Sequence, residues 1–100
     1  MLKIFEYFGF VFNFYPNEYE PIRVHVTYQN CEAVFVLTMS DGALEKVRHY
    51  PKEGANSLLK EDAETAERFI WRYSSKIVSK WIKFFVLKQP VKNMNITRKL

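Results

Sequence analysis

Seven of the first fifteen residues are aromatic: Phe5, Tyr7, Phe8, Phe10, Phe12, Phe14 and Tyr15. Side chains of that size gain most from leaving water together, so this segment must supply much of whatever core the chain builds. Their spacing then narrows the choice of element. From Gly9 to Tyr15 the residues Phe10, Phe12 and Phe14 alternate with Val11, Asn13 and Tyr15, the period of two that a half-buried strand requires. Ile4 to Phe8 is its expected hairpin partner. With 48% hydrophobic residues in 100, the chain has enough apolar material for one core but not two, which predicts a single domain and excludes disorder in this region.

Pro16, Asn17 and Pro21 punctuate a loop, since proline removes backbone donors and asparagine tolerates turn geometry. The clearest amphipathic strand follows: Ile22, Val24, Val26 and Tyr28 share one face, and Arg23, His25 and Thr27 the other. Gln29, Asn30 and Cys31 read as a hairpin connection into Ala33 to Thr38, a central strand by its apolar character on both faces. Ser40, Asp41 and Gly42 form a turn toward a further strand, roughly Leu44 to His49. Pro51 to Asn56 is a loop, with Asn56 or Ser57 as the expected helix cap.

After that the period changes. Ala63, Ala66, Ile70, Tyr73, Ile77, Trp81 and Phe84 recur at spacings of three or four, one buried helical stripe. Ser74 and Ser75 leave open one long helix or two shorter ones with a bend near Tyr73. Strands before helices imply an α+β fold: a small, mainly antiparallel sheet from the N-terminal half, covered on its apolar face by one long or two short C-terminal helices. The expected domain spans residues 1–88, with 89–100 a basic, flexible tail.

Charge divides the chain within this helical half, after Glu67. Residues 1–67 hold six basic against eleven acidic side chains, whereas residues 68–100 hold nine basic and no acidic ones, giving the overall +4. On a helix turning about 100° per residue, Arg68, Arg72, Lys76, Lys80 and Lys83 fall on one arc, roughly 120° from the apolar stripe. Such a row could meet the phosphates of a nucleic acid. It also suits the helix dipole, because Glu61, Asp62, Glu64 and Glu67 come first and the bases later, with Glu64 placed to pair with Arg68.

The densest polar group is Asn17, Glu18, Glu20, Arg23 and His25. A carboxylate beside an imidazole can orient it for acid–base chemistry, and an arginine can grip an anion bidentately, so Glu18 and His25 are the catalytic candidates. Asn17, Glu18, Arg23, His25, Arg72, Lys76, Lys80 and Lys83 are the binding candidates. The commoner use of such a group is structural: Glu18 paired with Arg23, Asn17 holding the turn, His25 on the solvent face of the sheet. His49 has no spacing that selects it for chemistry, and Trp81 with Phe84 and Phe85 reads as core rather than as a platform for bases. No phosphate-cradling glycine loop is present. Cys31 with His25 and His49 makes no convincing zinc set, so no metal or cofactor is expected. Glu6, Asn13 and Pro16 interrupt the opening apolar stretch, so neither a signal peptide nor a membrane span is expected, and the expected location is the cytoplasm.

The stretch Phe12-Asn13-Phe14-Tyr15-Pro16-Asn17-Glu18-Tyr19-Glu20-Pro21-Ile22-Arg23-Val24-His25-Val26 resembles the signature of a bacterial family catalogued as domain of unknown function 4160. Its members share an aromatic strand, an Asn-Glu turn, a Pro, a His-Val-His-Val strand and a helical half ending in Trp and aromatic residues, matched here by Trp81 and Phe84-Phe85. The likeness touches about residues 4–38 and, more loosely, 58–86. Arg23 stands where the family has its first strand histidine, so a two-histidine metal site is not expected, and any reaction using both imidazoles would be lost or changed. Family genes commonly lie beside another small family in a toxin–antitoxin-like arrangement, which implies a small partner protein encoded nearby. The resulting expectation is a noncatalytic protein-interaction module. The alternatives are a nucleic-acid-binding or RNA-cleaving toxin using the basic helix face and His25, and a homodimer formed through exposed strand edges.

Overall fold

A computed structural model describes residues 1–100. Five strands follow one another as an antiparallel meander: β1 (Leu2–Tyr7), β2 (Phe10–Phe14), β3 (Ile22–Tyr28), β4 (Cys31–Ser40) and β5 (Ala43–Pro51). Two helices come next, α1 (Lys60–Arg72) and α2 (Ser74–Trp81), then a π-helical turn at Ile82–Val86 and a last strand, β6 (Met94–Ile96). The sheet order is β5-β4-β3-β2-β1-β6, with β6 parallel to β1 and every other pairing antiparallel. The expected α+β architecture is therefore present, with two helices rather than one. No helix is long and apolar enough to cross a membrane.

Three of the strand connections are two-residue turns: Phe8-Gly9, Gln29-Asn30 and Asp41-Gly42. All six residues have positive φ, the backbone hand that lets so short a loop match the twist of its strands. Gly9 is required twice over, because its φ is +89° and an added Cβ would lie 3.1 Å from the Tyr28 ring. The turn after β3 is one residue shorter than expected; Cys31 already belongs to β4, opposite Tyr28.

The core lies between one face of the sheet and the helices. Phe5, Phe12, Phe14, Val24, Val26, Phe35, Phe69, Ile70 and Ile77 are all fully buried. Phe69 is its hub: it stacks on Phe12 with centroids 4.3 Å apart and meets Phe5 edge-on at 5.5 Å. A register shift in β1 between Lys3 and Phe5 breaks the alternation there, which lets the neighbours Ile4 and Phe5 both be buried. On the helices the buried positions include Phe69 and Phe85 as well as Ala63, Ala66, Ile70, Ile77 and Trp81, while Tyr73 and Phe84 are only partly covered.

Several local expectations are corrected. The bend falls at Tyr73 (φ −106°, ψ 20°), but neither Ser74 nor Ser75 makes a capping hydrogen bond there. Helix α1 starts after Leu59 without a side-chain cap; Asn56 instead bridges to Cys31, its carbonyl accepting the Glu32 amide at 2.9 Å. Glu64 and Arg68 form no ion pair; the ion pairs of the molecule all involve His25. The segment 89–100, expected as a flexible tail outside a 1–88 domain, carries β6: Met94, Asn95 and Ile96 lie along Phe5, Glu6 and Tyr7. The Asn93 amide donates to the Glu6 carboxylate, and the Leu100 amide to the Tyr7 hydroxyl. The helices thus carry the chain from the β5 edge of the sheet to the opposite edge.

Candidate functional site

Strand alternation sends Val24 and Val26 into the core and therefore Arg23, His25 and Thr27 to the face away from the helices. That far face is expected to be solvated around His25. It is not: His25 is only 2% exposed. The Tyr15 ring lies flat on the imidazole, centroids 3.6 Å apart and planes 15° from parallel. His25 Nε2 is hydrogen-bonded to Glu18 Oε1 at 2.7 Å, and Nδ1 to Glu32 Oε2 at 3.2 Å. The Tyr15 hydroxyl donates to the same Glu32 oxygen at 2.8 Å. Lys52 extends over the outer side of the Tyr15 ring, its ammonium 5.5 Å from the centroid.

Each member arrives for a local reason. Tyr15 continues the outward-facing row of β2, and the turn through Pro16 and Asn17, closed by the Glu18 amide on the Tyr15 carbonyl at 3.0 Å, brings Glu18 back over the sheet. The tight turn Gln29-Asn30 pairs Thr27 with Glu32 and His25 with Val34, so Glu32 is the diagonal neighbour of His25 on the same face. Glu18 and the next residue part company. Tyr19 reaches the helical layer, stacking on Trp81 at 5.3 Å, so the loop straddles the end of the sheet and grips both layers.

Both ring nitrogens of His25 face a carboxylate, so each of the two contacts holds one shared proton. Burial, the Glu32 hydrogen bond and the negative charges of Glu32 and Glu18 together push the Tyr15 pKa up to about 12, which keeps the phenol a donor. Beside them Asn13, cross-strand from His25, is fully buried; its amide donates long bonds of 3.5 Å to the Val11 and His25 carbonyls, and its Oδ1 has no partner.

Of the candidates named from sequence, Glu18 and His25 are brought together, and their partners Tyr15, Glu32 and Lys52 were not foreseen. Arg23 shares the face but forms no ion pair, so the expected Glu18–Arg23 pair is replaced by Glu18–His25. Asn17 occupies the turn, exposed and without a side-chain hydrogen bond. No set of three metal-ligating side chains is suitably placed for an ion. Chemically the cluster is closed: a general base must offer substrate a lone pair, whereas both nitrogens of His25 are committed and its ring is covered. His25 and Glu18 line none of five clefts on the surface, while Glu32 borders one at the β3–β4 turn.

The basic candidates are on the other side of the sheet, within the helical layer. Arg72 ends α1, Lys76 and Lys80 belong to α2, and Lys83 lies in the π-helical turn. Arg72, Lys76 and Lys83 are exposed and form no ion pair. Lys80 is occupied: its ammonium donates to the Lys92 carbonyl and lies 5.0 Å from the centre of the Phe5 ring, tying the segment before β6 to α2. Burial, then the nearby charges of Lys83 and Lys76, lower its pKa. The chain matches no family model, no curated protein and no solved structure.

Proposed function

We propose that this protein is a noncatalytic cytoplasmic interaction module that binds a small partner protein, encoded nearby, through the open edge of its sheet. The observation that carries the reading is β5. It is nine residues long, its only ladder partner is β4, and most of it is exposed. A row of backbone donors and acceptors along such an edge is a template for an added strand. Its composition favours a foreign strand over its own copy. In symmetric antiparallel pairing centred on Lys46, Val47 or Arg48, the residues facing each other are Lys46 with Lys46, Lys46 with Arg48, or Arg48 with Arg48, and like charges directly opposite are destabilising. The gene arrangement implied by the resemblance to domain of unknown function 4160 points the same way.

The closed His25 cluster supports the noncatalytic part. The basic helix face cannot serve His25 in an RNA-cleaving toxin, because a β-sheet lies between Lys76 and Lys83 on one side and His25 on the other; the bases on the His25 face are Arg23 and Lys52. Co-expression with the product of the adjacent gene tests the proposal. A complex that co-elutes on size exclusion is expected; separate elution of two folded proteins would overturn it. A second reading, nucleic-acid binding without cleavage, draws on the unpaired Arg72, Lys76 and Lys83. It requires a salt-sensitive shift of RNA or DNA on an electrophoretic gel, and no shift at low salt with excess protein removes it.

A further inference from the structure

A cleft of about 580 Å³ lies where β5 begins, between the β4–β5 turn and α2 with its π-helical turn. Its apolar lining includes Met39, Leu44, Val78, Ile82 and Leu87. The lining holds one charged side chain, Lys83, and no carboxylate; Lys83 forms no ion pair elsewhere. Ile82 and Leu87 of this lining are 42% and 55% exposed, and Val86 beside them adds one further apolar side chain, 48% exposed.

We infer that this cleft receives an extended segment of the partner protein, apolar at alternate positions and carrying a carboxylate that meets Lys83, laid alongside β5. The inference rests on the interaction reading above and names the partner's chemistry. Three features select this occupant. An extended peptide is the ligand whose own backbone can satisfy the free edge of β5, while its alternate side chains point down onto Leu44, Val78 and Ile82. A small molecule would gain less, because it would leave the β5 edge unpaired and Val86 wet. The sign of the partner's charge follows from Lys83, the one charged side chain of the lining, with no acid there to compete. Val86, next to Leu87 of the lining, adds exposed apolar surface beside the cleft.

The test uses the full-length chain and a displayed library of random heptapeptides. Wild-type protein is expected to enrich sequences with alternating apolar residues and at least one Asp or Glu. Lys83→Glu should lower recovery of the selected acidic peptides by about fivefold, the fold-change of one exposed charge contact, and shift the selection toward Lys and Arg. Val78→Asp should abolish enrichment. Both positions lie outside the fully buried core, and circular dichroism and thermal melting confirm that each variant is folded. No enrichment by wild-type protein, or the same enriched sequences with both folded variants, overturns the inference. The co-expressed pair separates its failure from that of the interaction reading. A complex that survives the Val78→Asp/Lys83→Glu double variant overturns the cleft and leaves the module standing, whereas absence of a complex with wild-type protein overturns the module.

Discussion

At the scale of single residues, His25 shows how a catalytic-looking side chain is put to structural use. Removing its ring leaves Glu18 and Glu32 facing each other without their shared donor, so His25→Ala should destabilise the fold by about 1.5–3 kcal/mol, as expected for hydrogen bonds to charged groups. Glu18→Gln, which keeps an acceptor of the same shape, should cost less. Urea unfolding midpoints of the two variants check the ranking. Tyr15 makes a pH prediction. Its pKa is raised from 10 in the unfolded chain to about 12 in the fold, so folding favours the neutral phenol. This contribution is complete below pH 10 and is lost as pH rises through about 12. In an ultraviolet titration of the folded protein one phenol should therefore ionise near pH 12, and Tyr15→Phe should remove that step. The sequence singles out Glu18 and His25 but points Glu18 to Arg23 rather than to His25. Glu32 was hidden by one residue: with the turn drawn through Cys31 its position against β3 is undefined, whereas a turn of Gln29-Asn30 alone puts it diagonal to His25. Tyr15 and Lys52 were harder to see, because their roles depend on how a loop folds back over the sheet.

At the scale of elements, the period of the apolar residues was the reliable guide, and end chemistry was not. β3 follows its alternation from Ile22 to Tyr28, and the spacing of Ala63, Ala66, Ile70 and Ile77 marks the covered side of the helices. The caps expected at Asn56 or Ser57 and at Ser74 or Ser75 make no capping bond, because tertiary contacts fix these ends: Asn56 is drawn to Cys31 and the bend follows packing about Tyr73, whose ring stacks on Phe69 at 4.6 Å. β6 was illegible for a different reason. Met94-Asn95-Ile96 is too short to show a period, and its partner β1 is almost the whole chain away. Deletion of residues 89–100 should therefore lower the thermal melting temperature, since it uncovers the β1 edge and removes the acceptor of Lys80. An unchanged midpoint would assign the segment no stabilising role. At the hairpins, Gly9→Ala should cost more than about 1 kcal/mol, because it adds both a disfavoured φ and a contact with Tyr28. Chemical denaturation measures it.

At the scale of the whole molecule, one sheet separates two chemically different sides. Its covered side is an aromatic core whose centre is Phe69; Phe69→Ala should cost about 3–5 kcal/mol, read from the shift in denaturation midpoint. Its far side carries the closed glutamate–histidine cluster, and the loop from Pro16 to Pro21 fastens both at one end of the sheet. The charge division in the sequence was visible, but its consequence was not, since linear order does not show that the basic residues and His25 end on opposite faces. The pairing of β6 with β1 has a consequence for how the protein is made. Glu6 leaves the ribosome long before Asn93, so throughout synthesis β1 has a bare edge beside the most aromatic segment of the chain. The nascent meander is most open to misassociation in this interval. Closure of this edge becomes available only once residues 94–96 have emerged.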